Sequence, residues 1–216
     1  MKKNLIILVA VLLTSTFTFA QSGKMFVTGH LGFNSNSSTN TIGSTSTDIP
    51  GWNAFDLMAE FHYKITDNIA VGLGVDYETL SQFDGTTLDG TDYFDTESMF
   101  SIVPSAIYGI RITDNFKYIP RLYIAFGFGS RNDKEPENPI SNTIETTTTD
   151  LSSLTLGIKP VSFEYGINER FAITMSFGDL YYRTYTENYP NNNKFTDKEF
   201  NLDANYGASF GIRIYL

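Results

Sequence analysis

The amino-acid sequence predicts an all-β chain: eight antiparallel strands in up-and-down order, closed into one barrel. Three observations carry this. Apolar residues recur with period two over most of the chain, the mark of strands with two unlike faces. Tight turns alternate with long polar connections. The polar faces are built of small residues rather than long charged ones.

The chain of 216 residues opens with Met1-Lys2-Lys3, an apolar run from Leu5 to Leu13, and Thr18-Phe19-Ala20. That order of charge, grease and small residues predicts a secretory leader, 1–20, cleaved after Ala20. The run is too short to cross a bilayer as a helix, and no later segment holds about 20 consecutive apolar residues. The other 196 residues form the single predicted barrel domain, 21–216. They carry 13 basic and 24 acidic residues, a charge of −11, which excludes nucleic acid as a natural partner. The chain has no cysteine, so neither disulfides nor thiolate chemistry is available.

The first predicted strand runs from about Lys24 to Asn34, with Met25, Val27, Leu31 and Phe33 on one face. The second, Trp52–Ile65, sets Phe55, Leu57, Phe61 and Tyr63 against Asp56, Glu60, His62 and Lys64. The third, Ile69–Leu80, sets Val71, Leu73 and Val75 against Gly72, Gly74, Asp76 and Glu78. The fourth, Ser98–Ile112, carries Phe100, Ile102, Tyr108 and Ile110 on its apolar side. The fifth, Phe116–Arg131, places Leu122, Ile124, Phe126 and Phe128 opposite Lys117, Arg121, Gly127 and Gly129. The sixth, Leu151–Ile167, changes phase between Ile158 and Val161. A bulge at Pro160, whose ring lacks an N–H for the ladder, accounts for the change. The seventh, Phe171–Glu187, sets Phe171, Ile173 and Phe177 against Ala172, Thr174 and Gly178. The eighth, Phe200–Leu216, has an apolar residue at every even position.

"ITDNI" (65–69), "ITDNF" (112–116) and "INERF" (167–171) are tight turns, since Asn and Asp bond nearby backbone and tolerate unusual dihedrals. They all lie at one end. The connections 35–51, 81–97, 132–150 and 188–197 are polar, long and at the other end. "TIETTTTD" (143–150) is strand-like and extends the sixth strand.

Residue size decides which face meets oil. A soluble barrel can carry bulky Lys and Glu on its wet outer face. Here the polar face is Gly, Ala, Ser and Thr, as a crowded interior requires, and the opposite face is bulky and aromatic, as lipid permits. A transmembrane barrel follows, with Tyr63, Tyr77, Tyr108, Phe116, Tyr118, Phe171 and Tyr181 as interfacial girdles. A soluble barrel or sandwich is the alternative.

The leader, the repeated "ITDN" turns, "AVGLGVDY" (70–77), "LGIKP" (156–160) and the alternating last strand make the chain resemble the porin-like outer-membrane β-barrel proteins of Gram-negative bacteria. The resemblance implies residence in the outer membrane, short periplasmic turns, long extracellular loops and contact with outer-membrane lipid. It also implies recognition of the last strand by the barrel-assembly machinery. Phe210, Ile212 and Ile214 keep the spacing of that signal, although the chain ends in Leu216 after Tyr215 rather than in an aromatic.

Inside the barrel, an interior charge network is expected from Asp56, Glu60, Asp76, Glu78 and Asp203 with Arg111, Lys117, Arg121, Lys159 and Arg213. Lys64 lies on the same face, and Glu164 joins if the bulge turns it inward. Buried charges need partners, so a lumen plugged by mutual pairing is the leading expectation and a narrow ion path the alternative. His30 and His62 point inward; with Glu60 and a serine they raise a third reading, a lipid-modifying enzyme. No catalytic set, cofactor or metal site is assigned. The acidic stretch Asp84, Asp89, Asp92, Asp95 and Glu97 reads as solvated charge, its spacing not matching a calcium loop. The expected role is structural or interactive, as a monomer with an unidentified extracellular ligand on the loops.

Overall fold

The computed structural model describes residues 24–42, 45–87, 89–136, 143–190 and 193–216, without the side chains at 34, 38–42, 45–49 and 203–208. The expected leader lies outside the described residues. All regular structure among them is β. The elements are β1 (Met25–Ile42), β2 (Thr45–Lys64), β3 (Ile69–Thr86), β4 (Asp92–Tyr108), β5 (Ile110–Arg111), β6 (Phe116–Tyr118), β7 (Arg121–Pro136), β8 (Ile144–Lys159), β9 (Val161–Gly166), β10 (Phe171–Asn188) and β11 (Lys194–Tyr215).

The short segments continue longer ones. β5, β6 and β9 extend β4, β7 and β8 toward the turn end, past breaks at Gly109, at Ile119–Pro120 and at Pro160. Two of the breaks contain a proline, which removes a ladder donor. Pro104 stays inside β4, but the β4–β7 ladder skips Val103 and Pro104. The expected phase change at Pro160 is present: Leu154 and Leu156 face outward before it, and Val161 and Tyr165 after it.

Every pairing is antiparallel, and the strands form a ring of eight in which β11 pairs both β10 and β1. Paired residues followed round this ring run Ile212, Gly29, Ala59, Val75, Ile102, Phe126, Leu154, Thr184, Lys198. The path leaves β11 at Ile212 and returns at Lys198. That stagger is the geometric signature of strands tilted about a common axis.

The three tight turns fold alike. Ile65, Ile112 and Ile167 each donate a backbone N–H to the carbonyl four residues on, at 2.9 Å. The next side chain caps each turn: Thr66, Thr113 and Asn168 accept the N–H of Ile69, Phe116 and Phe171.

The long connections are a correction. β1 and β2 run through the expected loop 35–51 to Ile42 and Thr45, and β3 and β4 run through most of 81–97. β7, β8, β10 and β11 likewise extend into 132–150 and 188–197. Polar composition reported solvent on both faces, and a hairpin with water on both sides still pairs its backbone. Threonine in particular favours strands.

The seam between β1 and β11 is short. Pairing runs from Phe26–Tyr215 to His30–Gly211, and no further β1–β11 pair occurs among the described residues. On the other side, β11 slips against β10: Phe177 pairs Ala208, but Asp179 pairs Asp203. The four most exposed large hydrophobics described, Leu31 and Phe33 of β1 and Phe200 and Leu202 of β11, lie on these two strands outside the paired stretch, at 63% to 73%.

The apolar side chains face outward. Leu73 is 58% exposed, Phe210 56% and Ile173 41%, whereas an enclosed apolar centre would have hidden all three. The belt they form runs on β3 from Ile69 to Tyr77, a climb of roughly 20 Å at a tilt of about 40°. Tyr63, Tyr108 and Tyr165 mark one rim, and Tyr77 and Tyr182 the other. Inside, a small apolar cluster of Phe26, Ala70, Ile107 and Ile119 packs with Tyr215 near the turn end. Met25, expected on the outer face and paired with outward-facing Tyr63, is nonetheless buried.

Candidate functional site

The candidate site is the interior, built in storeys. At the turn end, Glu164 of β9 is 2% exposed and gathers three donors. Its Oε1 accepts Lys117 Nζ at 2.7 Å and the Tyr215 hydroxyl at 2.6 Å. Its Oε2 accepts Arg213 Nη1. Arg213 Nε also donates to Thr28 Oγ1 at 3.0 Å, and its guanidinium lies 4.2 Å above the Phe26 ring. Phe26 in turn stacks on His62 at 4.8 Å.

One storey higher, Arg121 Nη2 donates to Glu60 Oε1 at 2.5 Å. Glu60 is 3% exposed. Ser105 Oγ donates to the same carboxylate oxygen at 3.1 Å, and His62 Nε2 lies 3.1 Å from that hydroxyl. The structure thus brings together a histidine, a serine and an acid. Their order differs from a serine nucleophile's, in which the acid holds the far nitrogen of the histidine. Here the acid holds the serine, and His62 Nδ1 has no partner among the described atoms. His62 is 0% exposed, beyond reach of a substrate.

Above this level Asp76, Glu78, Lys159 and Arg183 line a cavity of about 220 Å³, where the Tyr123 hydroxyl donates to Asp179 Oδ2 at 2.8 Å. Nearby, His30 Nδ1 pairs with Asp56 at 2.9 Å. Beyond the belt, Arg131 grips Glu187 with two bonds of 2.8 and 2.9 Å. Burial by itself pushes the Glu187 carboxyl up, but the bonds from Arg131 and Tyr189 and the Arg131 charge outweigh it and hold it below the usual range.

The cavities adjoin one another. A turn-end cavity of about 700 Å³ meets a central one of about 50 Å³ across Ile107, Ile119 and Arg213. The central one meets the cavity above it across Met58, Arg121 and Lys159.

Of the residues expected in the network, Glu60, Lys117, Arg121 and Arg213 make ion pairs, Glu164 joins them, and Asp56 contacts the His30 imidazole, a partner that is charged only when protonated. Asp76, Glu78 and Lys159 line a cavity. Arg111 is exposed at the turn-end mouth, outside the paired clusters. The side chain of Asp203 lies outside the described residues. Asp179, Arg183, Arg131 and Glu187 were not anticipated. Gly178, at φ 70°, interrupts the β10 ladder and reverses its facing. Tyr181 therefore lines the lumen rather than an outer girdle, and Tyr182 takes the outward place. The signal was legible as apolar residues shifting from odd (Phe171, Ile173, Phe177) to even positions (Leu180, Tyr182) across a glycine.

The acidic stretch is dispersed. Asp89 caps a turn through Thr87, Asp92 accepts from Thr86, and Asp95 accepts from the Lys134 backbone. No group of three metal-ligating side chains converges among the described residues.

Among solved structures, the chain superposes on a major outer membrane protein from Thermus thermophilus with a TM-score of 0.51. Identity is 16%, over 89% of this chain and 98% of that one. The fold is that of an outer-membrane β-barrel. Two further barrels align less closely. The N-terminal β-barrel domain of Pseudomonas aeruginosa OprF gives a TM-score of 0.33 at 11% identity, over 91% of this chain and all (100%) of that one. OmpT, an outer membrane protein of Vibrio cholerae, gives 0.28 at 17%, over 91% and 53%. No protein-family model matches the chain, and neither does any curated protein. In this barrel the functional geometry consists of a charged lumen and a rim of extended polar strands.

Proposed function

We propose that the chain is an integral, non-enzymatic protein of the bacterial outer membrane whose barrel is closed and whose lumen is plugged. The single observation that carries this reading is orientation: bulky apolar groups line the outside of a ring whose inside holds paired charges. A bilayer supplies no partner for bare peptide groups, so a ring of strands is the β-structure that can cross it. The turn end, with both ends of the ring, faces the periplasm, and the extended hairpins reach outside the cell. Their role is envelope support or contact with an extracellular ligand. The last strand engages the assembly machinery, and the barrel works as a monomer.

The plug follows from charge. A lone ion in a dry lumen is very costly, whereas Glu60 with Arg121 and Glu164 with Arg213 and Lys117 are each compensated at close range. The test has two readouts. The protein is expected in the outer-membrane fraction, and the purified barrel in a planar bilayer is expected to show no sustained conductance. Recovery in the soluble extract would end the membrane reading, and a steady open current would end the plug.

A further inference from the structure

The turn-end cavity is a basic cup on an acidic chain. The full sequence carries a charge of −9, yet the cup is lined by Lys24, Lys64, Arg111, Lys117 and Arg213 against Asp67 and Glu164. The cations converge. Lys64 Nζ lies 4.8 Å and Lys117 Nζ 5.5 Å from the centre of the same Tyr215 ring. Arg213 covers Phe26, whose ring lies 5.5 Å from that of Tyr215. Attraction to ring faces contributes to holding the cations there, but it does not neutralise them.

Glu164 is already saturated. Lys117 and the Tyr215 hydroxyl occupy one oxygen, and Arg213 takes the other. Among the described ion pairs, none involves Lys24, Lys64 or Arg111. Three cations therefore face a cavity of about 700 Å³, and the one acid on its wall with no described ion pair is Asp67. Like charges gathered in a concave site with low-dielectric walls raise the local concentration of anions. Inside such a cup the residual charge of two or more matches a dianion rather than a halide.

We infer that this cup binds a small phosphate-bearing anion that enters from the turn side. A phosphate monoester carries between one and a half and two negative charges near neutral pH, and ammonium groups bind phosphate as point charges without demanding one approach angle. Arg111, exposed at the mouth, adds a fork that fits two phosphate oxygens. The inference does not depend on a membrane around the ring, so its failure leaves the proposed function standing.

The full chain, folded in an uncharged maltoside detergent, is titrated with inorganic pyrophosphate by calorimetry at low salt. Saturable one-to-one binding is expected. It should weaken at least tenfold in Lys64→Gln and, separately, in Arg111→Gln, and stay unchanged in Lys134→Gln, which lies at the far end of β7. A shift in gel mobility between unheated and heated samples reports folding of each variant. Arg111 is exposed, so its variant keeps the ring. Absence of saturation up to tens of millimolar overturns the inference. So does equal weakening in Lys134→Gln, and so does citrate, of similar charge, binding as tightly as pyrophosphate, which would show a site for any polyanion.

Discussion

Gly72 and Gly29 sit in neighbouring parts of the same sheet and face opposite solvents. A Cβ on Gly72 would lie 2.4 Å from Cδ2 of His62, a ring with no room to move, since Phe26 stacks on it and Ser105 holds Nε2. A Cβ on Gly29 would meet nothing within 4 Å. Gly72→Ala is therefore expected to destabilise the barrel by about 1–3 kcal/mol, and Gly29→Ala to change it by less than about 0.5 kcal/mol. Urea unfolding from lipid vesicles, followed by the fluorescence of the single tryptophan, Trp52, measures both. Equal effects would mean that the inner and outer faces are wrongly assigned. Glu60 and Arg121 test the plug in the same assay. Arg121→Met leaves a buried carboxylate with Ser105 as its described donor, and a loss of about 3–5 kcal/mol is expected. Adding Glu60→Met should recover most of that loss, because two apolar side chains leave no uncompensated charge. A double variant as weak as the single one would show that the pair is not the unit. The small residues on the polar faces were readable from sequence. Which acid meets which base was not, because Glu60 and Arg121 are 61 positions apart and meet across the lumen.

At the scale of elements, period-two alternation locates all eight strands but not their ends. It stops being informative where both faces meet water, which is why β1, β2, β7 and β8 continue beyond their alternating apolar stretches. The reversal at Gly178 shows the other limit: one residue with left-handed φ moves every later side chain of β10 to the opposite face. The seam is the weakest joint described, since β1 and β11 pair over one short stretch. Val27 and Ile214 are direct partners in it. With no native cysteine to interfere, Val27→Cys with Ile214→Cys should form a disulfide under mild oxidation. The cross-linked barrel should then keep its compact, unheated gel mobility to a higher temperature than its reduced form. Failure to cross-link in the folded protein would place the two strands in another register.

The whole molecule divides at the rim of the belt. Below it, apolar side chains face outward and ion pairs face inward. Above it, paired polar strands are braced in water by Arg131 and Glu187. Because the folded Glu187 carboxyl titrates below its unfolded value, its contribution is complete above the ordinary glutamate range, about pH 4.3, and disappears as pH falls through the folded value. Stability of the native chain relative to Glu187→Gln is expected to differ by about 1–2 kcal/mol at pH 7, and the gap to narrow as pH falls below the ordinary glutamate range. A gap that widens in acid would reverse the sign and refute the brace. The amino-acid sequence by itself determined the strand number, the order of the strands, the tight turns and the face that meets lipid, because each is local: a period, a turn residue, a side-chain volume. Only the tertiary structure decided the stagger of the ring, the short seam, the turn of β10 at Gly178 and which charges pair inside the lumen. Those depend on which distant residues share a level around a common axis, and no local pattern in the chain encodes that.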